Sequence, residues 1–231
     1  EPLYHFTNPP FAPAETSEAA YEAMRYSFFH WGMHPWAIYI ILAIALGYFH
    51  FRQHLPLAPR AVLYPLIGEK GMRGPIGHAV DILCVVGTLL GVSTSLGLGA
   101  IQTNGGFSLL YEGLPTNTTV QVILIGLITF AATISVVSGI HKGIRLLSLL
   151  NICLAVILLL YVFIMGPTLS ILETFTGSLG LYLQNLPQMS LWSDFTKDNT
   201  WQASWTFFYW GWWISWSPFV RIFVARISRG R

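Results

Sequence analysis

Residues 205–231 read WTFFYWGWWISWSPFVRIFVARISRGR. Five tryptophans and a tyrosine crowd the first twelve positions, and arginines close the stretch. The apolar run suits one membrane-spanning helix, and the terminal arginines give its orientation. An indole ring has a negative quadrupolar face, so several rings converging in a low-dielectric place hold a cation that offers no hydrogen-bond donors. Quaternary ammonium is such a cation. Tryptophan also gathers at membrane interfaces as an anchor, and Trp192, Trp201 and Trp205, which precede the apolar run, take that reading. Trp210, Trp212, Trp213 and Trp216 lie deeper. The steps from 212 and 213 to 216 put rings on one helix face. For these residues composition leaves a binding face and plain packing both open.

The rest of the chain has the same character. Of 231 residues, 54% are hydrophobic and 10% charged, and the mean hydropathy is +0.57. That is too little polar material to cover a water-soluble surface of this size, so the chain reads as an all-α integral membrane protein. Charges avoid five long windows, the last of them charge-free as far as Val220, which predict spans over 26–51, 82–102, 118–140, 146–172 and 205–225.

Basic residues in short loops are retained on the cytoplasmic side. Arg52, Arg60, Lys70 and Arg73 come after the first span, Lys142 and Arg145 after the third, and Arg226, Arg229 and Arg231 after the fifth. The other segments carry acids: Glu1, Glu15, Glu18 and Glu22, then Glu112, then Glu173, Asp194 and Asp198. The chain is therefore expected to begin outside and end inside, which agrees with an odd number of spans. The formal net charge of +2 comes with no basic patch, which excludes a nucleic-acid partner. EPLYHFTNPPFAPAETSEAA lacks an initiator Met and the pattern of a signal peptide. A fragment with helices before and after it is expected. Cys84 and Cys153 fall inside spans as small apolar thiols, with neither a disulfide framework nor a metal site. Asn117-Thr118-Thr119 fits the glycosylation pattern.

Between spans, residues 57–77 hold Pro59, Pro65, Pro75 and several glycines, which predicts a short interfacial helix and a tight turn. Residues 173–188 suit a helix lying on the outer surface. Within the first span, HWGMHPWAIYI sets Trp31, Trp36 and Tyr39 around Pro35, which either starts a regular helix or kinks it. An outer aromatic belt is the alternative. His30 and His34 have metal-ligand spacing, but with no third ligand nearby metal binding is not expected.

In the second span Gly87, Gly91, Gly97 and Gly99 would let backbones approach closely, and Ser93, Thr94 and Ser95 would hydrogen-bond across helices or offer oxygen to sodium. Asp81 reads as a helix N-terminal cap. Pro218 frees the Ile214 carbonyl and predicts kinked or unwound backbone, which membrane proteins tolerate where it lines a cavity.

WTFFYWGWWISWSPFV with FVARISRGR resembles the signature of the betaine/carnitine/choline transporter family. FFHWGMHPWAIY, LYPLIG, GPIGHAVDI, TSLGLGAIQ and SVVSGIHKGIRLLS resemble family segments in order, over essentially the whole chain. EPLYHF resembles the segment directly after the family's glycine-rich, partly unwound helix. The resemblance implies two inverted five-helix repeats of the leucine-transporter-like bundle, with the five spans as core helices two to six. It implies that Trp31, Trp36 and Tyr39 form one side of an aromatic box around a trimethylammonium group, and Trp212, Trp213 and Trp216 the other. Thr94 and Phe219 resemble positions linked to a sodium site. Asn151 stands where the family's sodium-independent carnitine exchanger has an arginine, which favours ion coupling. Members usually read PFVG where this chain reads PFVR. Arg221 is thus either a snorkelling arginine or a fixed charge that interferes with or replaces a coupling cation.

The resemblance implies secondary active uptake of a quaternary ammonium osmolyte, glycine betaine ahead of choline or carnitine, by symport with sodium or a proton. It implies a bilayer setting, no other cofactor and no enzyme activity, and it is compatible with a homo-oligomer. The rival is a membrane sensor subunit that binds the same cation without moving it.

Overall fold

The computed structural model describes residues 1–138, 143, 145–194 and 200–230. Lys142, Asp198 and Arg231, three charges used for the topology, lie outside the described residues, as does most of the centre of SVVSGIHKGIRLLS. The described elements are helical: α1 (Pro2–Thr7), α2 (Ser17–Trp31), α3 (Met33–Gln53), a 3-10 turn (Pro59–Leu63), α4 (Tyr64–Arg73), α5 (Pro75–Leu110), α6 (Thr118–Val137), α7 (Arg145–Met165), α8 (Thr168–Gln184), α9 (Leu186–Leu191) and α10 (Thr200–Phe208), then a π-helical turn (Tyr209–Ile214) that continues into α11 (Ser215–Ile227). Two compact units divide the chain, residues 1–94 with 178–231 and residues 95–177.

Four stretches are long and apolar enough to cross a membrane: Ser17–Gln53, Pro75–Leu110, Thr118–Val137 and Arg145–Met165. The fifth expected span is the composite of α10, the π turn and α11, helical without interruption over 200–227.

The first expected span is two helices. Thr16 caps α2, its hydroxyl accepting from the Ala19 N–H at 3.2 Å. The helix runs to Trp31 and breaks at Gly32. A Cβ at Gly32 would lie 2.4 Å from the Phe28 carbonyl oxygen, so the break admits only glycine. Pro35 falls in the first turn of α3, where its missing N–H costs nothing, so it starts a helix rather than kinking one.

Residues 57–77 form the expected short helix and turn, kinked at Gly68, whose φ of 63° suits glycine. Asp81 is not a cap. α5 begins six residues earlier, and the Asp81 carboxylate accepts from the Arg60 N–H at 3.0 Å and pairs with its guanidinium at 3.3 Å. It ties the 3-10 turn to α5. The fourth span ends at Met165, before a Gly166-Pro167 break, and the surface segment starts at Thr168, earlier than expected.

α3 and α11 lie against each other, with Leu46, Ala61, Met72 and Ala225 forming a buried cluster. A second cluster, Tyr26, Phe29, Tyr182, Met189 and Trp213, gathers α2, α8, α9 and the π turn. On α5, Gly91 meets the start of α11, where a Cβ would come within 3.2 Å of the Ser215 Cβ and 3.3 Å of backbone. Gly97 and Gly99 meet nothing that close. Ser93 and Thr94 give their hydroxyls to Leu89 and Leu90 of their own helix and make no bond across helices. In the second unit the Asn117 side chain caps α6 by accepting from the Val120 N–H at 3.0 Å. α6 and α7 have no buried residues, an apolar surface that needs lipid or protein around it.

Replacing Gly32 with alanine forces its Cβ against backbone. The expected result is a loss of about 1–3 kcal/mol, read as a lower melting temperature of the detergent-purified full-length protein.

Candidate functional site

The break at Gly32 leaves backbone groups without helical partners, and two distant aromatics meet them. The indole N–H of Trp213 donates to the His30 carbonyl at 3.1 Å. The Tyr182 hydroxyl accepts from the Met33 N–H at 3.1 Å and lies 3.0 Å from His34 Nδ1. Both side chains are buried. Burial pushes the Tyr182 hydroxyl pKa up, against hydrogen bonding from the backbone of Met33 and His34.

The π turn spreads Trp210, Trp212 and Trp213 over a widened stretch of helix, a conformation frequent at functional sites. Of the two consequences expected of Pro218, kinked or unwound backbone, the second is corrected. The backbone is widened before the proline rather than unwound, and the Ser215 hydroxyl donates to the Trp210 carbonyl at 2.9 Å.

The structure brings some of the sequence-predicted residues together. Trp31 meets Trp212 edge to face, with ring centroids 5.3 Å apart. Trp213 is 6% exposed, and one of its faces is covered by Tyr209, stacked at 4.4 Å. Trp36 and Tyr39 pack on each other at 5.8 Å, and Trp216 on Phe219 at 5.2 Å. Trp31 and Trp36 are half exposed and Tyr39 is buried. The Thr94 hydroxyl donates back to the Leu90 carbonyl at 2.9 Å, and Phe219 is half exposed beside Trp216.

Arg221 is turned inward. It is 8% exposed and turns onto α5, where its guanidinium donates to Cys84 Sγ at 2.9 Å. Its Nε has no protein partner.

The tryptophans expected at an interface have inward contacts. Trp205 stacks on His30 at 4.0 Å and on His5 at 4.8 Å. Trp201 packs on Tyr26 at 4.9 Å, and its N–H donates to the Asn8 carbonyl at 3.2 Å.

His30 and His34 part company. His34 bonds Tyr182 and Ser190 at 2.7 Å, while His30 bonds Glu1 at 2.5 Å and Tyr209 at 3.0 Å. Burial pushes the Glu1 carboxyl pKa up, but hydrogen bonds from His30, His5 and Trp31 outweigh it and hold the group at about 2. Sequence reasoning missed Glu1, His5, Tyr182 and Tyr209, because their partners lie far away along the chain.

A helical membrane protein with tryptophans from two distant stretches in contact is thus defined. The sequence model described as BCCT, betaine/carnitine/choline family transporter, matches residues 1–231, and the chain belongs to that family. Over its whole length it is 48% identical to the glycine betaine transporter OpuD of Bacillus subtilis, spanning 45% of that protein. It is 46% identical to a glycine betaine transporter of Acinetobacter baylyi, spanning 35%, and 45% identical to the high-affinity choline transport protein of Escherichia coli K12, spanning 34%. The chain therefore covers less than half the length of these relatives.

Tyr182→Phe removes the hydroxyl while keeping the ring. It removes the acceptor of the part-buried Met33 N–H, at an expected cost of about 1 kcal/mol measured by thermal melting of the full-length protein.

Proposed function

We propose that the protein carrying this chain is a secondary active transporter that takes up a quaternary ammonium osmolyte, glycine betaine first, across the cytoplasmic membrane. The observation that carries this reading is the contact of Trp31 with Trp212, in a chain whose relatives are named for glycine betaine and choline. Choline and carnitine present the same trimethylammonium head to such a site.

In this reading Trp31, Trp36 and Tyr39 face the cation from one side, and Trp212, Trp213 and Trp216 from the other. Half-exposed Trp31 and Trp36 offer ring surface to a ligand. Trp213, with one face stacked and its N–H bonded, sets the position of its neighbour Trp212 as well as contributing its own ring. The chain starts outside and ends at the cytoplasmic side, as supported by Arg52, Arg60, Lys70 and Arg73 after the first span and Arg226 and Arg229 after the last.

A sodium or proton gradient supplies direction, with Thr94 and Phe219 as the residues linked to a sodium ion. Arg221 brings a fixed positive charge to the same helix as Phe219, where it competes with a coupling cation.

Trp31→Ala tests the substrate assignment. A desolvated cation–π contact of about 2 kcal/mol corresponds to about 30-fold weaker betaine binding by the full-length transporter. Unchanged affinity would reduce the aromatics to packing. Radiolabelled betaine counterflow in proteoliposomes separates a carrier from a sensor, because a sensor binds without exchange. Arg221→Gly is expected to strengthen the sodium dependence of uptake, and unchanged coupling would remove Arg221 from that role.

A further inference from the structure

Glu1, His5 and His30 bring three ligand atoms from two separate stretches to one point. Glu1 Oε1 lies 2.5 Å from His30 Nδ1 and 3.2 Å from His5 Nε2, and the two imidazole nitrogens are 3.4 Å apart. Both histidines are fully buried. We infer that these residues form a binding site for a divalent transition-metal ion of the zinc class.

Ligand spacing supports this assignment. A four-coordinate ion with bonds of about 2.0–2.1 Å sets its ligand atoms about 3.3–3.4 Å apart. The two distances from His5 already match that spacing. The Glu1 contacts with His5 and His30 are both hydrogen bonds; when the bridging protons leave and the ion takes their place, only the shorter one, to His30, has to open, by about 0.8 Å. Two imidazoles and one carboxylate suit zinc, whereas magnesium and calcium take oxygen ligands.

The surroundings also fit. The Tyr209 hydroxyl lies 3.0 Å from His30 Nε2, and the Trp31 indole N–H donates to the second oxygen of Glu1. Outer partners of this kind fix the orientation of metal ligands. Trp205 stacks over both imidazoles. His5 Nδ1 has no protein partner, and the tautomer with its proton there leaves Nε2 free to ligate. His34 stands outside this cluster, since it is committed to Tyr182 and Ser190.

The test uses the full-length transporter purified through a tag without histidine, stripped with a chelator and dialysed against zinc. Metal is counted per chain, so the outcome is independent of transport and of the substrate reading. One zinc per chain is expected, and cobalt in its place should give the intense visible bands of a four-coordinate site. Glu1→Gln and His5→Ala should each weaken zinc binding at least tenfold, while His34→Gln should bind as the parent does. Absence of stoichiometric zinc, a six-coordinate cobalt spectrum, or unchanged binding in folded Glu1→Gln or His5→Ala would overturn the site. If neither variant folds, zinc count and cobalt spectrum of the unaltered protein decide.

Discussion

The hydrogen bond from the Trp213 indole to the His30 carbonyl is the constraint around which the first unit is arranged. A helix end leaves carbonyls unpaired, and the next helix start leaves N–H groups unpaired. In an apolar medium each such group costs several kcal/mol unless something meets it. The break at Gly32 creates both kinds within four residues. Trp213 meets the carbonyl side and Tyr182 the N–H side. These two bonds reach across 183 and 149 residues of sequence, so they fix where the π turn and the end of α8 must lie against α2 and α3. The break can persist in an apolar setting because its exposed backbone is met by side chains.

This requirement explains which parts of the chain were legible from sequence. Span positions depend on local apolarity, so α6 and α7 begin close to the expected windows, while α5 contains its window and runs well past it at both ends. Turn chemistry is also local, which is why Pro59, Pro65 and Pro75 marked the connector. Partner choice is not local. Nothing near Tyr182 in sequence reveals that its hydroxyl serves Met33, and nothing near Glu1 reveals that it meets His30. The interfacial reading of Trp201 and Trp205 missed inward packing for the same reason, since an indole's composition signal is identical whether its ring faces headgroups or α1. Glycines had the converse problem. Gly91 and Gly97 look alike in a helical pattern, yet only Gly91 faces another backbone.

In the proposed aromatic site, packing and recognition would share residues. A ring with both faces covered cannot hold a cation, and a ring with both faces free is not held in place. Trp213 is close to the first condition, stacked on Tyr209 and bonded through its N–H. Trp31 is nearer the second, half exposed, yet positioned by Glu1 and by the edge of Trp212. Rigid members of the group orient the exposed ones, which lowers the entropy lost when a ligand is bound.

Arg221 is governed by the same balance of unmet groups. Placed in α11 with its side chain turned inward, it has a thiol as its partner and an Nε that no protein group meets. A buried charge without a carboxylate partner is costly, and the cost is lowest when no second cation shares the region. Like charges repel more strongly as the local dielectric falls. A guanidinium on the helix that also carries Phe219 therefore opposes entry of a coupling ion nearby. Under the proposed ion coupling, Arg221 would therefore have a larger electrostatic influence than the hydroxyl of Thr94, which is already bonded to Leu90.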